Sequence, residues 1–492
     1  VTDAYVYVDF GAVRIQQYLT RTAGLRGHRA ASNRLAQATA DASIERVVGR
    51  LAEVNPEAGK ADGVVGLRFP APTGDDVGER VRRVQNGVFA HLRRALPGAE
   101  FHSVWGQGES YLAVHAHELQ PKLRHGRVRH DLPPVAEFPL AVPCRMCHTD
   151  PAAGTEGVLD GVLALCLDCS MRNVSRREAV ADPRSPEGRL LEEIGLKPAP
   201  EDFAGLAALG SAASGRNHLA TVAVDGNAFG AFFTALADES SRDSELRKSK
   251  ATISAALSAA TREALAHAAL ELSLAMDLER LCLVPHVVGG DDVLVSLPAD
   301  QAWKFTLTFL EEFGSRVHKA TAETLGRLNR LRADRGLSEL QPPTASAGVV
   351  IAHASHPLNL LVESAGQRLS EAKRAFGGQR ASVQWLDFTA DGPEAPAHPP
   401  LALSVLRTEG GGETTASEAL SRLVRVPASH RARLTEALRG SGLLTAAALA
   451  DRVGHLDAVR PFLPPLDRLE QPPTCGVGLG AALNLARWWP CA

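Results

Sequence analysis

Residues 286–298, HVVGGDDVLVSLP, set Gly289, Gly290, Asp291 and Asp292 between two runs of strand-forming residues. Two carboxylates side by side at a hairpin tip repel, which raises the pKa of one of them unless a cation sits between. Glycine and aspartate are also ordinary turn residues. The four letters alone therefore fit a solvated turn as well as a site where hard oxygen ligands hold Mg²⁺ or Mn²⁺. A second set is more specific. Cys144-x-x-Cys147 and Cys166-x-x-Cys169 stand eighteen residues apart, the spacing of a closed Cys₄ zinc ribbon whose job is structural. Two disulfides are the alternative, and a cytosolic chain of this size does not need them. Cys282, Cys475 and Cys491 show no pairing logic and read as ordinary thiols.

The elements that must position these groups are legible as a repeat. AYVYVDFGAVRIQQYL near the start is a strand ending in Asp9, then Gly11, then a helix. ATVAVDGNAFGAFFTAL in the middle is a strand ending in Asp225, then Gly226, Asn227 and Gly230, then a helix. Downstream of each lies a stretch that reads as a hairpin with a glycine-rich tip, FHSVWGQGESYLAVHA in the first half and LVPHVVGGDDVLVSLP in the second. The second half continues with a long amphipathic helix from Gln301 to about Arg332, the buried strand TASAGVVIAHA, the helix PLNLLVESAGQRLSEAKRAF and the strand ASVQWLDF. This order predicts an α+β, ferredoxin-like split βαβ arrangement in each half. Asp225 would then lie beside the tip that carries Asp291 and Asp292, and three carboxylates on one edge suit two-metal phosphoryl transfer. In the first half Gly106-Gln107-Gly108-Glu109-Ser110 stands where the second has Gly-Gly-Asp-Asp, which leaves Glu109 as the one acid at the tip and Asp9 as its partner. The first half reads as a degenerate copy.

Composition bounds the rest. The chain has 492 residues, 45% hydrophobic and 22% charged, with a net charge of −3. That is a globular composition with no whole-protein attraction to nucleic acid. The best apolar run, ISAALSAATREALAHAALELSLAM, contains Arg262, Glu263, His267 and Glu271, so no membrane span is expected. No secretory leader precedes VTDAYVYVDF, although a first residue other than Met leaves a processed start open, and the cytoplasm is the expected compartment. Basic clusters at ERVRRVQ, HLRRAL and KLRHGRVRH, the last with Lys122, Arg124, Arg127 and Arg129, suit an RNA or partner face.

DFGAVRIQQYLTRTAGLRGHRAASNRLA, the Cys₄ module, DGNAFGAFF, GGDDVLVSL and SAGVVIAHASHPLNLLVESAGQRLSEAKR resemble, in that order, the palm-domain polymerases that form the large subunit of type III CRISPR effector complexes, relatives of GGDEF cyclases. The resemblance implies a degenerate first palm at 1–142, a zinc ribbon at 143–180, a connector at 181–215, an active palm at 216–391 and a helical domain at 400–492. It implies conversion of ATP to cyclic oligoadenylate, with CRISPR RNA and target RNA as partners and other effector subunits meeting the C-terminal helices. Asp225 and Asp291 would be metal ligands, and Asp292 a ligand or an activator of the 3′ hydroxyl. Backbone N–H groups of Asn227, Ala228, Phe229 and Gly230 would cradle the triphosphate, Gly289 and Gly290 would complete the nucleotide contacts, and Lys373 would reach the phosphates or else sit on a solvated helix face. A catalytically inactive scaffold for RNA and protein is the alternative, and a diguanylate cyclase ranks below both because the ribbon and paired palms do not belong to that architecture. Many members carry an HD nuclease domain ahead of the first palm. The one HD dipeptide here, His130-Asp131, lacks the further histidines such a site needs, so DNA cleavage is not expected.

Overall fold

The computed structural model describes residues 4–59, 61–71, 77–133, 141–158, 161–175, 182–211, 217–240, 242–392, 398–407, 415–465 and 470–490. Cys491 lies outside them.

Strands β1 (Tyr5–Val13), β2 (Glu53–Val54), β3 (Val64–Pro70), β4 (Glu100–Gly108) and β5 (Arg129–Asp131) form the first sheet, in the order β2-β3-β1-β4-β5. Helices α1 (Leu25–Thr39) and α2 (Val77–Ala95) bury Leu35, Val84, Val88 and Leu92 against Val6, Val8, Phe10 and Leu67. The hairpin expected over 101–116 is absent. β4 runs unbroken to Gly108, and residues 111–124 are helical. The glycines that suggested a turn allow close approach instead: a Cβ at Gly106 would lie 2.7 Å from Val114, and one at Gly108 equally close. The true counterpart of the second-half hairpin is β2–β3, with residues 55–63 as its tip. Glu109 is exposed and belongs to no tip; β1 pairs Tyr5 with Gly108 and Asp9 with Val104, which sets Glu109 beyond the far end of the strand from Asp9. His130 and Asp131 lie on edge strand β5, and Asp131 is paired with Arg93.

Between the sheets, the hairpin β6 (Gly154–Val158) and β7 (Gly161–Leu165) and helix α3 (Leu167–Ser175) form the ribbon module. Arg172 of α3 is wholly buried; it pairs with Asp168 and donates to the carbonyls of Tyr18 (2.8 Å) and Leu19 (3.2 Å), which ties the ribbon to the first half. Helix α4 (Pro186–Ile194) is capped by Ser185, and Glu187 in its first turn makes a buried bidentate pair with Arg29 of α1.

The second sheet comprises β8 (His218–Asn227), β9 (Val284–Gly289), β10 (Asp292–Pro298), β11 (Thr344–His353), β12 (Ser382–Asp387) and β13 (Leu401–Ala402), ordered β13-β12-β11-β8-β10-β9. After α5 (Phe229–Glu239), two 32-residue helices, α6 (Ser244–Ala275) and α7 (Ala302–Ala333), pack together on one face. Helix α8 (Leu358–Ala375) covers the other, with Leu361, Val362 and Ala365 against Ala223, Leu294 and Val350. Sheets buried on both faces read as continuous apolar runs rather than alternations, and β8 and β11 do. The neighbours of the two central strands match: β3-β1-β4 in the first sheet, β10-β8-β11 in the second. The fold is thus two ferredoxin-like palms with a Cys₄ module between. The palms touch where Ala61 bridges Gly289 and where Ser32 donates to the carbonyl of His286 (2.8 Å).

Helices α9 (Ala416–Val424), α10 (Ala428–Ser441), α11 (Leu443–Arg452) and α12 (Leu479–Leu485) share one core with the second sheet. Buried Asp387, at the end of β12, accepts from Trp488 Nε1 (2.6 Å), while Trp385 donates to Asn484 (2.8 Å).

Candidate active site

β9 and β10 pair Gly289 with Asp292, so Gly290 and Asp291 form a two-residue loop. Gly290 has φ 61° while Asp291 is not in the positive-φ region, the hairpin geometry that asks for glycine at the first central position. On β8, Asp225 lies opposite Ser346 of β11, and its neighbour Val224 opposite Val293 of β10. Strand adjacency thus delivers the three carboxylates to one edge. Gly226 makes the approach possible, since a Cβ there would lie 2.3 Å from both an Asp291 oxygen and the Phe229 ring.

The electrostatics follow from crowding. Burial and the nearby Asp225 carboxylate raise the Asp291 pKa. Asp292 is pushed up to about 8, by burial first, then by Asp225 and Asp291, and it shares a hydrogen bond with Asp225. Lys373, on α8, ion-pairs with Asp225 and donates to the carbonyl of Gly226 at 2.7 Å. It sits inside the site, not on a solvated helix face. The Asn227 side chain turns inward, donating to Thr344 (3.0 Å), Ser346 (2.9 Å) and the carbonyl of Arg380 (3.1 Å). It is a buried clamp on the strand end, and only its backbone faces the approach to α5. Ala228 adopts a left-handed φ of 65°, and the first intrahelical bond runs from Phe232 to Ala228. The N–H groups of Phe229, Gly230 and Ala231 therefore have no partner within the helix. Beside them opens a cavity of about 210 Å³, bordered by Phe229, Phe233, Leu257, Ser258 and Asp291, with Ala58 and Val64 contributed by the first palm.

The first palm keeps one of these acids. Asp9, the counterpart of Asp225, accepts from Tyr111 at 2.8 Å, and burial raises its pKa to about 6. Lys250 of α6 reaches across from the second half, donates to the carbonyl of Glu57 (2.8 Å) and sits 4.3 Å from the Tyr111 ring; burial lowers its pKa to about 8. Sequence patterning gives no hint of Lys250, which lies outside the repeated segments, or of Tyr111, which lies in the stretch that reads as a hairpin and is helical instead.

The four ribbon thiols are buried and unbridged, and their sulfurs lie within 4.8 Å of one another. Backbone N–H groups of Met146 and Cys169 point at the sulfurs of Cys144 and Cys166 (3.4 Å each), the knuckle geometry of a thiolate site. Among the described residues no other set of three or more His, Cys, Asp or Glu closes to that spacing, the three aspartates included. Carboxylates that hold two cations roughly 4 Å apart need not close so far.

Sheet order, glycine-tipped hairpin and acidic edge together define a palm domain. Residues 218–383 match the family model described as Cas10/Cmr2, second palm domain. No curated protein matches the chain. Among solved structures, a Csm1-Csm4 cassette in complex with cA4 is 13% identical, with a TM-score of 0.55 over 98% of this chain and 69% of that one. A Csm1-Csm4 cassette with one ATP gives 13%, 0.55, 98% and 70%, and Csm1 of T.onnurineus gives 14%, 0.53, 98% and 69%. Both comparisons bear out the resemblance to the large subunit of type III CRISPR complexes: the second palm matches in sequence, and nearly the whole chain in fold. No helix among the described residues is long and apolar enough to cross a membrane.

Proposed function

We propose that this chain is the large subunit of a type III CRISPR effector complex or a related stand-alone defence protein, and that its second palm joins ATP into cyclic oligoadenylate. The observation that carries the reading is the convergence of Asp225, Asp291 and Asp292 on one strand edge, beside a free helix N-terminus and a cavity. Similar folds have been solved with ATP, cA3 and cA4. The donor set is all oxygen and suits Mg²⁺ or Mn²⁺. Two such cations would lower the pKa of a 3′ hydroxyl and offset charge on the triphosphate. The remaining work falls to the chain: Phe229 and Phe233 flank the slot a purine would enter, the first N–H groups of α5 meet phosphate oxygens, and Lys373 is within reach of the same anion once Asp225 has another partner. The Cys₄ module suits one structural zinc. CRISPR RNA and target RNA are the proposed nucleic-acid partners, and other effector subunits would meet the C-terminal helices.

One observation favours the scaffold reading: Lys373 neutralises Asp225 where a cation would be required. Incubating the purified chain with each labelled NTP and Mn²⁺ separates the two. Oligoadenylate from ATP alone supports the enzyme; no turnover with or without target RNA supports the scaffold.

A further inference from the structure

The Gly290–Asp291 loop can hold its central peptide in either of two orientations, related by a flip, because glycine and aspartate both tolerate positive φ. The two orientations aim the Asp291 side chain differently. Something must select one. Thr261, on α6 and 1% exposed, donates from Oγ1 to the carbonyl of Gly290 at 2.5 Å. That carbonyl belongs to the planar peptide linking Gly290 to Asp291, so fixing it fixes the plane from which Asp291 projects. The alternative acceptor for the hydroxyl, the carbonyl of Leu257 one turn back, is longer at 3.1 Å. The same helix is pinned eleven residues earlier, about 16 Å along its axis, where Lys250 enters the first palm and meets Glu57 and Tyr111. The decayed palm thus grips the helix that braces the aspartate tip.

We propose that Thr261 is a positioning residue for the aspartate tip and that Lys250, held by the first palm, fixes the register of the helix carrying it. This rests on the reading of the tip as a divalent-cation site. The degenerate palm then has a task that requires no catalysis: the Glu57 carbonyl and the Tyr111 ring hold a lysine, and Asp9 in turn holds Tyr111.

Mn²⁺ binding to the full chain, followed by calorimetry and by the spin signal of free Mn²⁺, tests this without turnover. Thr261→Val keeps the shape and removes the donor, and should weaken Mn²⁺ binding roughly tenfold, the size of one lost hydrogen bond at a site it orients. Thr261→Ser restores the donor and should stay within about twofold of the parent. Lys250→Met acts from a distance and should weaken Mn²⁺ binding about threefold, with the zinc content of the ribbon unchanged. Parental Mn²⁺ affinity in a folded Thr261→Val chain overturns the inference and leaves the metal-site reading standing. Should Thr261→Val not fold, parental affinity in Lys250→Met overturns the Lys250 half, and a tenfold loss in Thr261→Ser overturns the hydroxyl argument. If the parent binds Mn²⁺ no better than Asp291→Asn/Asp292→Asn, the metal-site reading itself falls, and the inference with it.

Discussion

The two palms share a strand order and differ in what faces the central aspartate. In the second palm a two-residue tip brings two further carboxylates to Asp225. In the first, the longer tip between β2 and β3 carries Glu57 and Asp62, but Asp62 pairs with Arg189, and the group that meets Asp9 is the Tyr111 hydroxyl, with Lys250 beside it. The backbone framework therefore does not make the chemistry. Carboxylates gather where the loop is short enough to hold them against one another despite their repulsion, and do not where the loop is longer and neutralising groups stand beside the strand.

The comparison breaks most visibly if the acidic tip is dispensable. Asp291→Asn/Asp292→Asn should cut ATP turnover by about a thousandfold or more, because positioning and charge stabilisation dominate this chemistry. Its thermal midpoint should hold or rise, since a like-charge repulsion is lost. Parental turnover would sink the assignment. Next in size is the ribbon. Metal analysis should return about one zinc per chain, and Cys166→Ser should lose it, loosen the segment around Tyr18 and Leu19 and destabilise the first palm by about 3–5 kcal/mol as the buried Arg172 loses its setting. Normal protection of those amides from exchange in the zinc-free chain would contradict this.

Asp9 and Asp292 give a pH signature that separates the palms, with Asp291 raised in the same direction as Asp292. Each folded-state pKa exceeds its unfolded value, so each binds a proton more tightly when folded, and the stability it contributes falls as pH rises through that window. For Asp9 the window runs from about 4 to about 6, and for Asp292 from about 4 to about 8. Buried His28 and His286 slope the other way, so the informative quantity is a difference between variants. Relative to the parent, Asp9→Asn should gain up to about 3 kcal/mol between pH 4 and 7 by denaturant titration. Mn²⁺ should restore stability at pH 8 to the parent and to Asp9→Asn, and not to the Asp291/Asp292 variant. Smaller still, Lys373→Met should raise KM for ATP about tenfold with less change in kcat, the loss of one charge-assisted phosphate contact. Smallest of all, Glu109→Gln should leave turnover within about twofold, since Glu109 is exposed and lies at no tip.

Much of this is legible in the sequence. The CxxC pairs, the strand ending at Asp225, the Gly-Gly-Asp-Asp hairpin and the closing strand–helix–strand each carry a local signal strong enough to read. The first-palm hairpin does not. Its β2 is two residues long, too short to show alternation, and its counterpart was sought where Gly106 and Gly108 imitate a turn while serving as flat ground for Val114. The expectation for Asn227 concerns its backbone N–H; that its side-chain amide donates inward to Thr344 and Ser346, across more than a hundred residues, has no local signal. Lys250 and Thr261 escaped notice because α6 reads as one more amphipathic helix. Only the third dimension shows that its N-terminal part and its middle serve different palms.

The bond from Trp488 to Asp387 spans 101 residues, and this separation sets an order of events during synthesis. A ribosome delivers β12 long before the indole that its buried carboxylate requires. At roughly 5–20 residues per second the gap lasts several seconds or more. Throughout that interval Asp387 keeps only its local donors, Thr389 and Ala390, and the apolar flank that the C-terminal helices cover is bare. Chains arrested before Trp488 should be cleaved within the second palm under pulse proteolysis, whereas released chains resist. The helical cap is thus the last part of the second palm's core to arrive.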